Sequence, residues 1–217
     1  MSGLFIKDIR LLMQRKRFLI MFAFLAVTLS YATDGTFIIS YLTMVGSMLA
    51  LSTISLDEFD NGFSFLFTLP VSRKNYAAEK YLFSYIWLGI CWFIGVLLQV
   101  IMTFAKGEAF ASGEFLTLVF VFLAVFMVVL AIMIPIELKF GVEKSRVAMF
   151  AVVGICFVIG ILIAKIMESM GIDLSNFAER ADGLPIVLLP ATLIVAALIV
   201  SAVSYFITIG IMEKKEF

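Results

Sequence analysis

Six long apolar runs constrain this chain more than any other feature of it. They lie at Phe18–Thr33, Phe37–Ser55, Tyr81–Ala105, Phe115–Ile136, Val147–Ala164 and Leu184–Met212, and none contains Asp, Glu, Lys or Arg. A helix needs about 20 apolar residues to cross the hydrocarbon core of a bilayer, so the runs predict six transmembrane helices. The first is short, and Asp34-Gly35 offers a tight turn into the second. The last is longer than required and is expected to tilt or to extend past the bilayer. Composition agrees: 63% of the 217 residues are hydrophobic and 15% charged, against roughly 45–50% and about 25% for a soluble domain. The expected fold class is all-α integral membrane, with residues 1–217 as a single transmembrane domain. No long repeat and no low-complexity linker divides it.

Ahead of the first run, residues 2–17 read SGLFIKDIRLLMQRKR. Leu4, Phe5, Ile9, Leu12 and Met13 fall near helical spacing, while Lys7, Asp8, Arg10, Gln14 and Arg15 occupy much of the remaining circumference. That pattern predicts an amphipathic helix lying in the membrane interface. A secretory signal peptide is the rival reading, but its basic region would be long and no small-residue cleavage site is clear.

Lysine and arginine set the orientation. Lys7, Arg10, Arg15, Lys16 and Arg17 precede the first span. Arg73, Lys74 and Lys80 lie between spans two and three, Lys139, Lys144 and Arg146 between four and five, and Lys214 and Lys215 in the tail. Only Lys106, Lys165 and Arg180 fall on the other side. Both termini and the 57–80 segment are therefore expected in the cytoplasm of a multi-pass protein of the plasma membrane. The connection at 137–146 reads as a short charged loop. The stretch Lys165–Gly183 is the largest external connection; Ile166, Met167, Met170, Leu174 and Phe177 suit a short interfacial or re-entrant helix, and an ordinary polar loop fits equally.

Much chemistry is excluded by what is missing. The chain has no histidine, which removes Ser-His-Asp triads and HExxH zinc sites. Cys91 and Cys156 both sit in apolar runs and read as packed small side chains rather than a disulfide or metal pair. No Gly-x-x-x-x-Gly-Lys-Ser/Thr phosphate loop occurs, and no Gly is followed by Lys, so ATP is not expected to bind here in the usual way. Glu137, Glu143 and Glu168 lie at span ends, where solvated charge is ordinary. An intramembrane enzyme is disfavoured, and no catalytic residue, cofactor or metal is expected. Net charge is zero, and nucleic acid is not an expected partner.

The most informative stretch is residues 57–81, DEFDNGFSFLFTLPVSRKNYAAEKY. Asp57, Glu58 and Asp60 end span two, because carboxylates do not enter hydrocarbon cheaply. Gly62 interrupts, and Phe63-Ser64-Phe65-Leu66-Phe67 follows, apolar but too short to span. Pro70 ends or kinks that run. Ser72 is placed to cap a new helix that starts near Arg73 and continues through Tyr76, Glu79 and Lys80 into span three. An apolar knob beside a basic capped helix suits a protein-binding element; an interfacial helix anchored in lipid headgroups suits the same pattern.

This stretch resembles the first cytoplasmic loop of the ABC-2 type permease family, in its compact six-span branch. The resemblance rests on Asp57-Glu58, Gly62, Phe65-Leu66, Thr68-Leu69-Pro70-Val71-Ser72-Arg73, Tyr76 and Lys80-Tyr81. Elsewhere it rests on the spacing of the spans and on the basic amphipathic N-terminal helix. Within the family the chain looks like the permeases of phenol-soluble modulin exporters, whose cargo is amphipathic helical peptide toxins. The resemblance implies two permease subunits, as a homodimer or with a related permease, above two separate ABC ATPase subunits that hold ATP and Mg. It makes residues 57–80 the coupling loop that docks on the ATPase, through Asp57, Glu58, Gly62, Phe63, Phe65, Leu66, Pro70, Ser72, Arg73, Tyr76 and Lys80. Phe63, Phe65 and Leu66 would insert into the ATPase and Arg73 would pair with an acid there. The N-terminal helix would be the family's connecting helix.

The absence of charge inside the spans favours an amphipathic or lipophilic cargo over an ion. The 23 Phe and 12 Met suit adaptable apolar contacts, and also suit lipid-facing and helix-facing surfaces. Ser40, Thr43 and Ser47 share one face of span two and are candidates for pathway lining or for helix packing. Gly160 with Ala164, and Ala197 with Ser201, form small-xxx-small pairs suited to close helix contact within a chain or across a dimer. Export of amphipathic peptides is the leading expectation. Export of drugs or other lipophilic compounds, and a structural or sensory role without transport, are the alternatives.

Overall fold

A computed structural model describes residues 2–32, 37–59, 62–68, 71–107, 112–169 and 188–214. Their regular structure is helical: α1 (Ser2–Gln14), α2 (Lys16–Ala32), α3 (Phe37–Glu58), α4 (Gly62–Leu66), α5 (Arg73–Lys106), α6 (Ser112–Ser169) and α7 (Leu188–Lys214). Helices bond all their backbone groups internally, as lipid demands. Four helices among the described residues are long and apolar enough to cross a membrane: Phe37–Glu58, Arg73–Lys106, Phe115–Gly141 and Pro190–Lys214. The first expected span is α2, whose 17 residues rise only about 26 Å. The fifth falls in the second arm of α6, where the backbone is helical to Ser169. Most side chains of that arm lie outside the described residues, Cys156, Gly160 and Ala164 included. So do the Asp34-Gly35 turn, Pro70, the side chain of Ser64, and residues 170–187, which hold most of the expected external connection.

α3 is the hub. It packs against α1, α2, α4, α5 and α6, while α7 packs against α6 and α5. One apolar cluster gathers Leu4, Ile54, Phe63, Leu66, Tyr76, Leu130, Ile134, Leu138 and Met212, drawing on every helix but α2. A second joins Ala26, Ile38, Ile39 and Val119. The outward faces stay apolar: Phe24, Ile101, Phe104 and Phe206 are all exposed, as a chain solvated by lipid requires. α3 and α5 meet closely because a glycine from each fills the contact. A Cβ at Gly46 would stand 2.6 Å from the Cβ of Cys91, and one at Gly95 would stand 3.1 Å from the Cα of Ile39. Cys91 is a free thiol spent on that packing.

Two expectations are corrected. The charged stretch 137–146 is not a loop; it is helical apart from Gly141, whose φ of 76° and ψ of 173° break α6. Unbroken, 58 residues would run about 87 Å, far beyond a hydrocarbon core of about 30 Å. One residue supplies the corner because only glycine adopts that backbone conformation readily. A side chain there would also overlap the carboxylate of Glu58. The second correction concerns α1. Its buried stripe is Leu4, Asp8 and Leu12, while Ile6, Ile9 and Met13 are exposed. The face turned to the protein thus carries a charge, and part of the apolar face is turned outward.

Candidate functional site

Asp8 on that stripe leads to a buried charge cluster that joins α1, α3 and α5. These residues share faces for simple reasons of period: Leu4, Asp8 and Leu12 repeat every four on α1, as Thr53 and Asp57 do on α3 and Tyr76 and Lys80 on α5. Lys7 donates to both carboxylate oxygens of Asp57, at 2.5 and 2.6 Å, and its ammonium lies 3.2 Å from Asp8. Lys80 bonds to Asp8, stands 2.8 Å from Asp57 and donates to the Thr53 hydroxyl at 3.2 Å. The Tyr76 hydroxyl donates to Asp57 at 2.9 Å, and its ring lies 5.4 Å from the Lys80 ammonium. Asp8 and Lys80 are 0% exposed and Asp57 is 7% exposed. Charges so buried are tolerable only when paired and hydrogen-bonded, and here two lysines balance two aspartates. Glu79 is the odd acid: it is 1% exposed, and neither carboxylate oxygen has a hydrogen-bond partner among the described residues.

α4 sits directly on this cluster. Gly62 starts it, and a side chain there would overlap the Asp57 carbonyl, so the short helix begins hard against the end of α3. Phe63 and Leu66 face the core. Phe63 stacks with Phe67 at 6.3 Å and meets Tyr76 edge-on at 5.7 Å. Phe65 points the other way and is 71% exposed, close to the 69% of Phe59. Ser72 is the N-cap of α5, its hydroxyl accepting from the Asn75 amide at 3.2 Å. One turn of α5 is tied to the end of α7. Arg73 donates to the carbonyls of Met212 and Glu213 at 3.1 and 3.0 Å, a favoured place for a cation. Lys74 pairs with Glu213 at 2.9 Å.

The structure thus brings Asp57, Gly62, Phe63, Leu66, Tyr76 and Lys80 into one assembly, with Glu58 against Gly141 and Arg73 at the end of α7. Ser40, Thr43 and Ser47 are elsewhere on α3. Thr43 and Ser47 are buried, with hydroxyls bonded to the Ile39 and Met44 carbonyls at 2.5 and 2.7 Å; Ser40 is half-buried. Sequence reasoning missed Lys7, Asp8, Thr53 and Glu79 as members of the cluster. The signal was present: Asp8 stands four residues from both Leu4 and Leu12, on the stripe an amphipathic helix buries.

A second buried polar network runs along the spans and is uncharged. The Tyr81 hydroxyl lies 2.6 Å from Ser204 and 2.8 Å from Thr208 on α7. Tyr85 donates to Ser201 at 2.7 Å. Ser201 and Thr208 also donate to carbonyls of their own helix, at 2.6 and 2.9 Å, and Ser204 bonds to the Ala131 carbonyl on α6. The Ala197–Ser201 pair is therefore used inside the chain, where both residues are buried.

Both networks bond side chains across helices, and no group of three metal-ligating side chains occurs among the described residues. What they can do is hold helices together. Membrane-length helices bound at one end by buried ion pairs, in a chain whose described regular structure is helical, define an integral membrane protein. The family described as ABC-2 family transporter protein matches residues 3–213, and the chain belongs to that family. Membership makes it the membrane-spanning, generally non-catalytic subunit of an ABC transporter and implies an ABC ATPase subunit as partner. No curated protein matches the chain, and neither does any solved structure.

Proposed function

We propose that this chain is the six-span permease of an ATP-driven exporter in the plasma membrane, with both termini cytoplasmic, and that its cargo is an amphipathic peptide. The observation that carries the coupling role is the two-sided build of α4. Phe63 and Leu66 anchor it inside while Phe65 stands 71% exposed, a large aromatic side chain that nothing in the described chain covers. Docking on the ATPase is assigned to Phe65, with Phe59 and the exposed Lys74 and Asn75 beside it. Phe63 and Leu66 relay the contact. A push on α4 passes through Phe63 to Tyr76, and from Tyr76 through Asp57 to Lys7 and α1. ATP and Mg belong to the ATPase.

Phe65→Asp tests this. The variant is expected to insert and purify normally, to bind the ATPase at least about tenfold more weakly, as loss of a buried aromatic anchor does, and to lose cargo-stimulated hydrolysis. Leu66→Asp, by contrast, is expected to destabilise the permease itself. If Phe65→Asp binds and stimulates the ATPase like the parent chain, the docking assignment fails.

The cargo reading rests on six apolar runs that carry no acidic or basic side chain and on outward faces of Phe, Ile and Leu. One bundle of this size is too small to enclose a peptide helix about 10–12 Å across, so two copies are proposed per complex. Co-purification with the ATPase, mass measurement, and ATPase assays with and without amphipathic peptides test these points together. Stimulation by such peptides supports the cargo. A stable complex that ignores them and responds to lipophilic compounds replaces it. A single permease copy overturns the dimer, and no complex at all overturns the exporter.

A further inference from the structure

Near the charged cluster, the end of the first arm of α6 and the end of α7 border an open-sided cavity of about 530 Å³ lined by Lys139, Ile207, Gly210, Ile211 and Lys214. That is within the roughly 300–1,000 Å³ of small-ligand sites. We infer that this cavity is a binding site for an anionic phospholipid of the adjoining leaflet, with Lys139 and Lys214 holding the phosphate and Ile207 and Ile211 flanking the upper acyl chain.

The placement argues for a lipid rather than a free anion. Ile207, Gly210, Ile211 and Lys214 recur at i, i+3, i+4 and i+7 and so form one face of α7. Along that face apolar side chains give way to an ammonium group at the helix end. Lys139 and Lys214 stand three and two residues past the last apolar residue of their runs, Ile136 and Met212. That is about 5 Å or less of helix rise, which is headgroup depth. Ile211 and Ile207 lie one and two turns deeper, at the level of acyl chains. A phosphate above hydrocarbon has the same vertical order, and a soluble anion has no use for the apolar wall.

Charge completes the argument. Among the described residues no acidic side chain lines the cavity. Lys139 and Lys214 are exposed and form no ion pair among the described residues, whereas Lys74 nearby is paired with Glu213. Lys139 rests beside the Phe140 ring, 5.1 Å from its centroid, a contact that leaves its ammonium donors available. At Gly210 nothing lies within 4 Å of where a Cβ would stand, so the missing side chain is cavity and not helix contact. Basic pockets between membrane helices are an established setting for acidic headgroups. A lipid bound here would bridge α6 and α7 at the end where Arg73 and Lys74 also grip α7.

The test is native mass spectrometry of the purified chain in detergent, titrated with dioleoyl-phosphatidylglycerol and with dioleoyl-phosphatidylcholine. The parent chain is expected to hold the anionic lipid about tenfold or more over the zwitterionic one. Lys139→Gln with Lys214→Gln should erase that preference, and Lys106→Gln, at the other end of α5, should keep it. Gly210→Leu should lower retention of both lipids by filling the cavity. All four positions are exposed or open, and an unchanged gel-filtration profile confirms folding. Equal retention of the two lipids by the parent chain overturns the site, as does a preference that survives the double substitution or vanishes with Lys106→Gln. Complete displacement by excess inorganic phosphate overturns it in favour of a free-anion site, and displacement by an acidic amphipathic peptide in favour of a cargo site.

Discussion

The two buried polar networks solve the same problem by opposite means. At the end of the bundle, α1, α3 and α5 are joined by full charges: Lys7 and Lys80 against Asp8 and Asp57, all in reach of one another. Along the spans, α5, α6 and α7 are joined by hydroxyls: Tyr81 and Tyr85 against Ser201, Ser204 and Thr208. A buried charge has nowhere to go if its partner moves, because its desolvation is then uncompensated. A serine or threonine in a helix keeps a bond to its own backbone, as Ser201 and Thr208 do, and so tolerates the loss of its neighbour. The difference divides the molecule mechanically. α1, α3 and the start of α5 are held as a unit by bonds that are costly to break singly, whereas the hydroxyl bonds between α5 and α7 are each cheaper to lose.

The largest expected effect comes from breaking the charged lock. Lys80→Ala leaves two buried aspartates with only Lys7 between them and is expected to cost about 3–5 kcal/mol, read as a lower unfolding midpoint in detergent. Lys80→Met combined with Asp8→Leu removes a cation and an anion together. It should cost much less than the sum of the two single changes, because no charge is left alone. Equal costs for the double variant and the summed singles would dissolve the idea of a lock. Tyr81→Phe is the matching change in the neutral network. It removes a hydroxyl with two partners, yet the expected loss is only about 0.6–1 kcal/mol, since such bonds in membrane proteins are individually weak and both partners have backbone acceptors. If Tyr81→Phe proved as costly as Lys80→Ala, the two regions would not differ in kind.

The contrast also shows which features a sequence reveals. Helix type and extent were legible where apolar runs are long: α3, α5 and the first arm of α6 carry them, and the Ser72 cap follows from one hydroxyl three residues before a free amide. The build of α4 was half legible. A run of Phe63 to Phe67 announces an apolar knob, but not that Phe63 and Leu66 turn inward and Phe65 outward, which the position of Tyr76 decides. The charged lock was least legible. Its partners are separated by 50 and 72 positions, and a charge beside a span reads first as a solvated boundary. The corner at Gly141 was hidden for another reason: charged residues around one glycine look like a loop, although glycine alone suffices to turn a helix.

The smallest expected effect is also the sharpest control, because it changes one variable. Lys74 and Glu213 form an ion pair at 2.9 Å, inside the range spanned by those in the lock, but their side chains are 64% and 50% exposed. If proximity of opposite charges were what stabilises the lock, Lys74→Ala would cost as much as Lys80→Ala. If burial is what matters, the exposed pair should contribute about 0–1 kcal/mol, diminished further by salt. Its neighbour Arg73 separates the two contributions once more, since it meets the same helix end through two backbone carbonyls. Arg73→Ala should therefore cost more than Lys74→Ala and keep that cost at high salt, while the Lys74 effect fades. Unfolding midpoints of both variants at low and high ionic strength decide it. A Lys74→Ala loss that matches the lock and resists salt would mean that the end of α7 belongs to the rigid unit too.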